Sequence, residues 1–259
     1  HNIDPDRENV WKRILDRFVQ IGGTGVISAN LDCLRYGKEI GLKCSVSTIM
    51  GLYNVEAIRW IVQEIRPERI VLSRDLTLEE IKEIRRETGV ALEVFGMNFG
   101  CRYSNAFCFG SHNHATKGFC HAVGQMEWEY RNRNGEPMSG DFLLKADFNH
   151  WLYTNALLES ACGACAVYSL IEMGIDHIKI VGRELDGDKI LESAVIMRRC
   201  IEAAENSQTV QEYWSKLPRK NIQKNRYGCY GGYQCYYPES CPELNEKPAD
   251  RDKGSECLG

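Results

Sequence analysis

Residues 90–120 read VALEVFGMNFGCRYSNAFCFGSHNHATKGFC, and this stretch decides how the rest of the chain is understood. Its first seven residues are a near-continuous apolar run ending in glycine, the pattern of a strand buried on both faces of a parallel sheet. The strand leads into a loop too rich in soft ligands for an ordinary βα turn: Cys101, Cys108 and Cys120, with His112, His114 and His121. Loops at the ends of parallel strands emerge at the carboxyl end of the sheet, where the ligand sites of α/β folds lie. The expectation is a strand that delivers a cysteine-bearing site.

Working outward, the same alternation recurs on either side. Toward the N-terminus, GVISAN (25–30), KCSVST (43–48) and RIVLS (69–73) read as strands, each succeeded by residues of helical period. Thr77 with Glu80 forms a capping box that opens a helix carrying Leu78, Ile81 and Ile84. Ahead of the first strand, NVWKRILDRFVQ (9–20) places Val10, Ile14, Leu15 and Phe18 on one helical face. Toward the C-terminus, residues 146–173 read as largely helical with a break near Gly163, HIKIV (177–181) as a fifth strand, and 188–205 as the last long helix. Strands and helices alternating at roughly 20–25 residues predict a parallel sheet with right-handed crossovers. The fold class is α/β, a TIM-type (β/α) barrel incomplete at its N-terminus, because five strands are found where such a barrel has eight. A smaller open α/β sheet is the alternative. The chain starts at His1, which is read as a sign of an upstream segment.

The predicted organisation is a barrel-like domain over 1–206, with its cysteine-rich loop at 97–140, and a Cys- and Tyr-rich extension over 207–259 that stands apart from the core. Net charge is −4 with both signs interspersed, so composition provides no whole-surface attraction to nucleic acid or to an anionic membrane. No stretch reaches the roughly 18 apolar residues of a membrane span, and the first ten residues lack the pattern of a signal peptide. The expected location is cytoplasmic. There, twelve cysteines point to metal ligation, since thiols stay reduced; a disulfide-stapled secreted protein is the opposing reading.

Three cysteines after one strand need a fourth to complete a tetrahedral sulfur site, and Cys162 and Cys165 are the candidates. Wide, irregular spacing suits an iron-sulfur cluster better than structural zinc, which favours two close pairs. On spacing alone Cys162 is equally well a core thiol on a packed helix face. His112 and His114 admit zinc but are ordinary polar-loop residues too. Cys229, Cys235, Cys241 and Cys257 form a second group, expected to hold another cluster or zinc, to lid the first site, or to do neither.

The runs VLSRDLTLEEIKEI (71–84), EVFGMNFGCRYSNAFC (93–108), KGFC (117–120) and GIDHIKIVGRE (174–184) together resemble the collagenase-like U-32 peptidase family. The shared pattern is a strand ending Glu-x-Phe, a cysteine, a second cysteine seven residues on, a third preceded by glycine, and a closing strand ending Gly-Arg; it spans 25–184. The resemblance implies a barrel, and, from members that act in oxygen-independent hydroxylation of RNA bases or quinone rings, a 4Fe-4S cluster. By position Cys101, Cys108, Cys120 and Cys162 are then its ligands. Glu93 and Arg183 become substrate-facing catalytic residues, and a prephenate-like anionic co-substrate is implied. Peptidase activity is one rival expectation; the other is a non-catalytic electron-transfer or scaffold subunit paired with a homologous partner chain that supplies missing barrel surface. The chain departs from the pattern at Asn105, Ala106 and Phe107, at Val181 where the family has glutamate, and near Gly124 and Gln125 where a cysteine is missing. Those departures imply a substrate unlike that of the better-known members.

Overall fold

The computed structural model describes residues 8–98, 134, 136–137, 161–183, 185–219, 222, 235–240 and 242. Within them lie helix α1 (Glu8–Gln20), strand β1 (Gly25–Ser28), α2 (Leu31–Glu39), β2 (Lys43–Val46), α3 (Val55–Ile65), β3 (Arg69–Val71), α4 (Leu78–Glu87) and β4 (Ala91–Met97). After the cysteine-rich stretch come α5 (Val167–Glu172), β5 (His177–Ile180), α6 (Gly187–Glu205) and α7 (Val210–Lys216). All strand pairs are parallel, and the order in the sheet is β1-β2-β3-β4-β5. Each strand thus neighbours the next in sequence, which is the winding of successive units of a (β/α) barrel rather than the doubly wound order.

Local sequence accounts for the helix boundaries. Thr77 and Glu80 form the capping box at the start of α4, satisfying two backbone donors reciprocally. Asn30 and Asn54 cap α2 and α3 by accepting from Cys33 and Ala57 at 2.8 and 2.9 Å. β2 is two residues shorter than its apolar pattern predicts, because Ser47 caps a short 3-10 helix, Thr48–Met50.

Period-2 alternation divides the sheet into two unlike faces. Cys44, Val46, Ile70, Leu92 and Val94 are buried, and they share a core with Leu34, Ile58, Ile61, Ile81 and Ile84 of α2, α3 and α4. The opposite face carries Ser45, Arg69, Glu93 and Lys179, placed by the same register. A second core forms where β4 and β5 meet the later helices, from Met97, Cys162, Ile196, Met197, Cys200 and Tyr213. Gly96 is required there: a Cβ would lie 2.3 Å from Ile178 Cγ2 and 2.9 Å from Met197 Cε.

Three expectations are corrected. The apolar face assigned to α1 does not point inward: Leu15 is buried, whereas Val10, Ile14 and Phe18 are exposed. Trp11 stacks edge-on against Tyr36 at 5.7 Å and the Tyr36 hydroxyl donates to Asp16 at 2.6 Å, so the contacts to α2 select the Trp11–Leu15 side. The break expected near Gly163 is present and takes in Cys162, which is read on a helix face from sequence: residues 161–163 are not helical, because Cys162 is drawn into β-bridges, and helix resumes only after the 3-10 turn Ala164–Ala166. The part of that expected helix before residue 161 lies outside the described residues.

The third correction concerns the C-terminal extension, for which a Cys- and Tyr-rich segment standing apart from the core was expected. Tyr236 and Tyr237 are buried in the main core, and Tyr213, Leu217 and Ile222 in the second. Their rings were the overlooked hydrophobic content, since an aromatic buries large area while its hydroxyl reaches a backbone acceptor.

Candidate functional site

The site is built at the carboxyl end of β4. Asn98, the residue just past that strand, is fully buried and left-handed, with φ of 65°. Such a conformation is costly for a residue bearing Cβ, and asparagine tolerates it because its short amide bonds locally. Every polar group of Asn98 is engaged. Its N–H donates to Ala161 O at 2.8 Å, and its side-chain amide donates to Val181 O at 3.0 Å and to Ser193 Oγ at 3.1 Å. Its carbonyl accepts from the Tyr236 hydroxyl. Four other segments of the chain therefore converge on one residue, three positions before Cys101.

Cys162 lies against this corner. It bridges Met97 in antiparallel fashion and Cys235 in parallel fashion. Gly163 N–H donates to Gly96 O at 2.8 Å, and Tyr236 N–H donates to Cys162 O at 2.9 Å. The thiol is 5% exposed, and its sulfur accepts from Ala164 N–H at 3.4 Å. Cys165 sits differently, half-buried against α7, with its carbonyl accepting from Trp214 Nε1 at 3.0 Å. The bland alternative for Cys162 has support too, since its neighbours Met97, Ala164 and Val167 are apolar.

Cys200 and Tyr213 belong to the same layer. Burial pushes the Cys200 thiol up to about 12, and burial with neighbouring thiols pushes the Tyr213 phenol well above its ordinary range. Tyr213 donates to Ala164 O, fixing the turn just past Cys162. Both are neutral packing groups at ordinary pH.

Glu93 is the third residue of β4, in register with the last residue of β3, so it lies deeper than the strand end expected for it. Its carboxylate is 9% exposed and bridges two cations: Lys179 Nζ at 2.7 Å from Oε1 and Arg69 Nη1 at 3.1 Å from Oε2. Those partners are 30% and 36% exposed. Beyond them the Arg74 guanidinium stacks on the Phe95 ring at 3.7 Å. The inner face of the sheet is thus cationic around a single buried carboxylate.

Arg183 is exposed, in the turn after β5 that begins at Gly182, whose φ is 97°. Val181, two residues earlier, donates its N–H to Met97 O at 3.0 Å and accepts from Asn98, so the turn carrying Arg183 springs from the same corner as Cys162. Cys101, Cys108, Cys120, Cys229, Cys241 and Cys257, with His112, His114 and His121, lie outside the described residues. Among the described residues no group of three or more His, Cys, Asp or Glu side chains is arranged to hold a metal. Nor, among them, is any helix long and apolar enough to cross a membrane. Asn98, Arg69, Lys179 and Tyr236 were not singled out from sequence. The available signal was an asparagine at a strand-to-loop junction, a residue type that favours the left-handed region.

The family model described as peptidase family U32 matches residues 4–242. The chain belongs to this family. Its similarity extends to an uncharacterized protease of Methanocaldococcus jannaschii, 27% identical over 210 residues. That alignment covers 77% of this chain and 48% of the relative, so the chain spans about half the relative's length. Among solved structures, a dihydrodipicolinate synthase superimposes with a TM-score of 0.28 at 8% identity, over 87% of this chain and 76% of that one, a likeness that carries no argument.

Proposed function

We propose that this U32 family chain is an iron-sulfur protein, with Cys101, Cys108, Cys120 and Cys162 as cluster ligands, and that it acts as an oxygen-independent hydroxylase or as a subunit of one. The observation that supports this reading is the position of Cys162: a buried thiol that receives an N–H, bridged to Met97 four residues ahead of Cys101. A sulfur donor of this kind suits iron in a thiolate site. When bound, such a cluster supplies one-electron chemistry at a potential set by burial and by hydrogen bonds to its sulfurs.

The chain's own residues supply the rest. Arg183 presents a bidentate fork to a carboxylate, fitting an anionic co-substrate of the prephenate kind. Arg69 and Lys179 keep the inner face of the sheet positive while Glu93 holds them in place. The acceptor on this reading is a small molecule, a peptide or an RNA base.

Hydrolysis of a peptide bond is the competing reading, favoured by the names that the family and the relative carry. One experiment separates the two. Protein purified without oxygen is analysed for iron and acid-labile sulfide, with about four of each expected per chain. It is then incubated with metabolite and nucleoside pools, and products are searched for a gain of one oxygen atom. A colourless protein that cleaves peptides and yields no hydroxylated product overturns the proposal.

A further inference from the structure

We infer that Tyr236 is a positioning residue of the site: it ties the end of β4 to Cys162, so that the C-terminal segment sets how those two parts lie against each other. This rests on the iron-sulfur reading above and adds to it a residue that holds a donor in place without being one. Tyr236 bonds to the corner from both of its ends. Its backbone N–H donates to Cys162 O at 2.9 Å, and its side-chain hydroxyl donates to Asn98 O. Asn98 stands three positions before Cys101 in the sequence, and its neighbour Met97 is the bridge partner of Cys162.

Packing alone does not account for the hydroxyl. Tyr236 is 7% exposed and its ring lies 5.7 Å from that of Phe95, a contact that phenylalanine would make equally well. The hydroxyl supplies instead a donor to the carbonyl of a fully buried residue, from 138 positions away in sequence. A buried carbonyl without a donor carries its full desolvation cost, so the bond holds Asn98 and Tyr236 together. The rest of Asn98 is fixed by Ala161, Val181 and Ser193, and the segment bearing Tyr236 is fixed by Glu239, which accepts from Leu78 N–H at 2.6 Å. Tyr236 therefore joins two anchored pieces of chain, with Cys162 between them. Tyr237 supplies a natural control. It is buried too, and its hydroxyl donates to Phe95 O at 2.9 Å, which lies inside β4 and away from the corner.

The test compares Tyr236→Phe with Tyr237→Phe in the full chain. Each deletes one buried bond from a phenol to a carbonyl of β4 or its end and keeps the ring, so a merely structural contribution affects both variants alike. In protein loaded with iron and sulfide, Tyr236→Phe is expected to speed iron loss to a chelator by roughly 10- to 100-fold, the range for losing a residue that orients a ligand, while Tyr237→Phe stays near wild type. The electron paramagnetic resonance signal of the reduced cluster should change in the first variant and not in the second. In the same proteins without metal, alkylation read residue by residue by mass spectrometry should be faster at Cys162 in Tyr236→Phe than in Tyr237→Phe. Cys44, buried in the helix-covered core, reports global unfolding and should react alike in all three proteins. A Tyr236→Phe variant that matches Tyr237→Phe in iron loss or in Cys162 alkylation overturns the inference. If the wild type takes up no iron, the function proposed above fails by itself, and Cys162 alkylation alone decides: faster reaction in Tyr236→Phe supports a tyrosine that holds this corner, and equal rates sink it.

Discussion

The side-chain amide of Asn98 donates to the main-chain carbonyl of Val181 at 3.0 Å, tying the end of β4 to the end of β5 at the point where the cysteine-bearing loop departs. The same amide reaches Ser193 of α6, so one left-handed residue fixes two strands and a helix. Asn98→Gly keeps the backbone conformation but loses both side-chain bonds, and should lower stability by about 1–3 kcal/mol. Asn98→Ala adds the steric cost of a Cβ in the left-handed region, about 1 kcal/mol more. Urea unfolding of both variants checks the order. If alanine is the milder change, the conformation of Asn98 is not what matters.

Glu93 holds Arg69 and Lys179 from a position that solvent barely reaches. Replacing it by glutamine leaves two cations facing one another without their shared partner. The expected loss is about 1–3 kcal/mol, below the figure for a fully buried pair because both cations keep part of their hydration. Glu93→Gln combined with Lys179→Met should recover part of it, since the second change removes one stranded charge. A thermodynamic cycle of the single and double variants measures the coupling.

Much of this was legible in the sequence, and the exceptions have a common cause. Strand and helix positions came from apolar period and caps, as at Thr77 and Glu80, where the signal is local. The apolar runs at 90–96 and 177–181 placed β4 and β5, and the family resemblance is borne out. What one-dimensional reading could not supply was partnership over long separations. Nothing near Tyr236 announces that its ring packs on Phe95, 5.7 Å away and 141 residues earlier. Nothing near Val10 or Ile14 shows that α1 turns its Trp11–Leu15 side to α2. Cys162 looked helical because its apolar neighbours have helical spacing, yet bridges to Met97 and Cys235 pull it into extended backbone.

The tail is a structural element, and removing it should show that. Deleting residues 228–259 takes Tyr236 and Tyr237 out of the main core and releases Glu239 from the start of α4. Truncating a single buried aromatic typically costs about 3–5 kcal/mol, so the deletion should abolish cooperative unfolding or lower its midpoint severely. Tyr237→Phe isolates one bond, from its hydroxyl to Phe95 O, and should cost about 1 kcal/mol. A truncated chain that unfolds like the full one would refute the packing role of the tail.

Alkaline pH should unfold the protein through its buried acids. Burial raises the Cys200 thiol from 9.0 to about 12, and raises Tyr213 and Tyr237 further still. In the unfolded chain these groups ionise near their ordinary values, so above about pH 9 the unfolded state binds fewer protons than the folded one. Stability is therefore complete below that pH and declines as pH rises toward 12. Cys200→Ala removes one of the three groups and should flatten the decline between pH 9 and 12 relative to its own stability at pH 7. An unchanged slope would mean that Cys200 does not contribute to it.

Arg183 is the residue on which the proposed chemistry can be tested most cleanly, because its exposed side chain lies beyond β5 and outside both cores. Substitution there should leave stability within about 0.5 kcal/mol of wild type, so a loss of activity could not be ascribed to unfolding. Its turn is nonetheless fixed: Val181 is bonded to Met97 and Asn98, and Leu185 N–H closes onto Gly182 O at 2.8 Å. A guanidinium held by such a turn can give two parallel hydrogen bonds to one carboxylate, whereas a lysine ammonium at the same place offers a point charge. Arg183→Ala should retain the iron and sulfide content of the wild type while abolishing formation of the hydroxylated product, and Arg183→Lys should recover little of it. The contrast between the alanine and lysine variants is decisive. If lysine restores turnover fully, a positive charge is all that the position provides. If alanine matches wild type, the anionic co-substrate is bound elsewhere, and Arg69 and Lys179 on the inner face of the sheet become the groups to replace next.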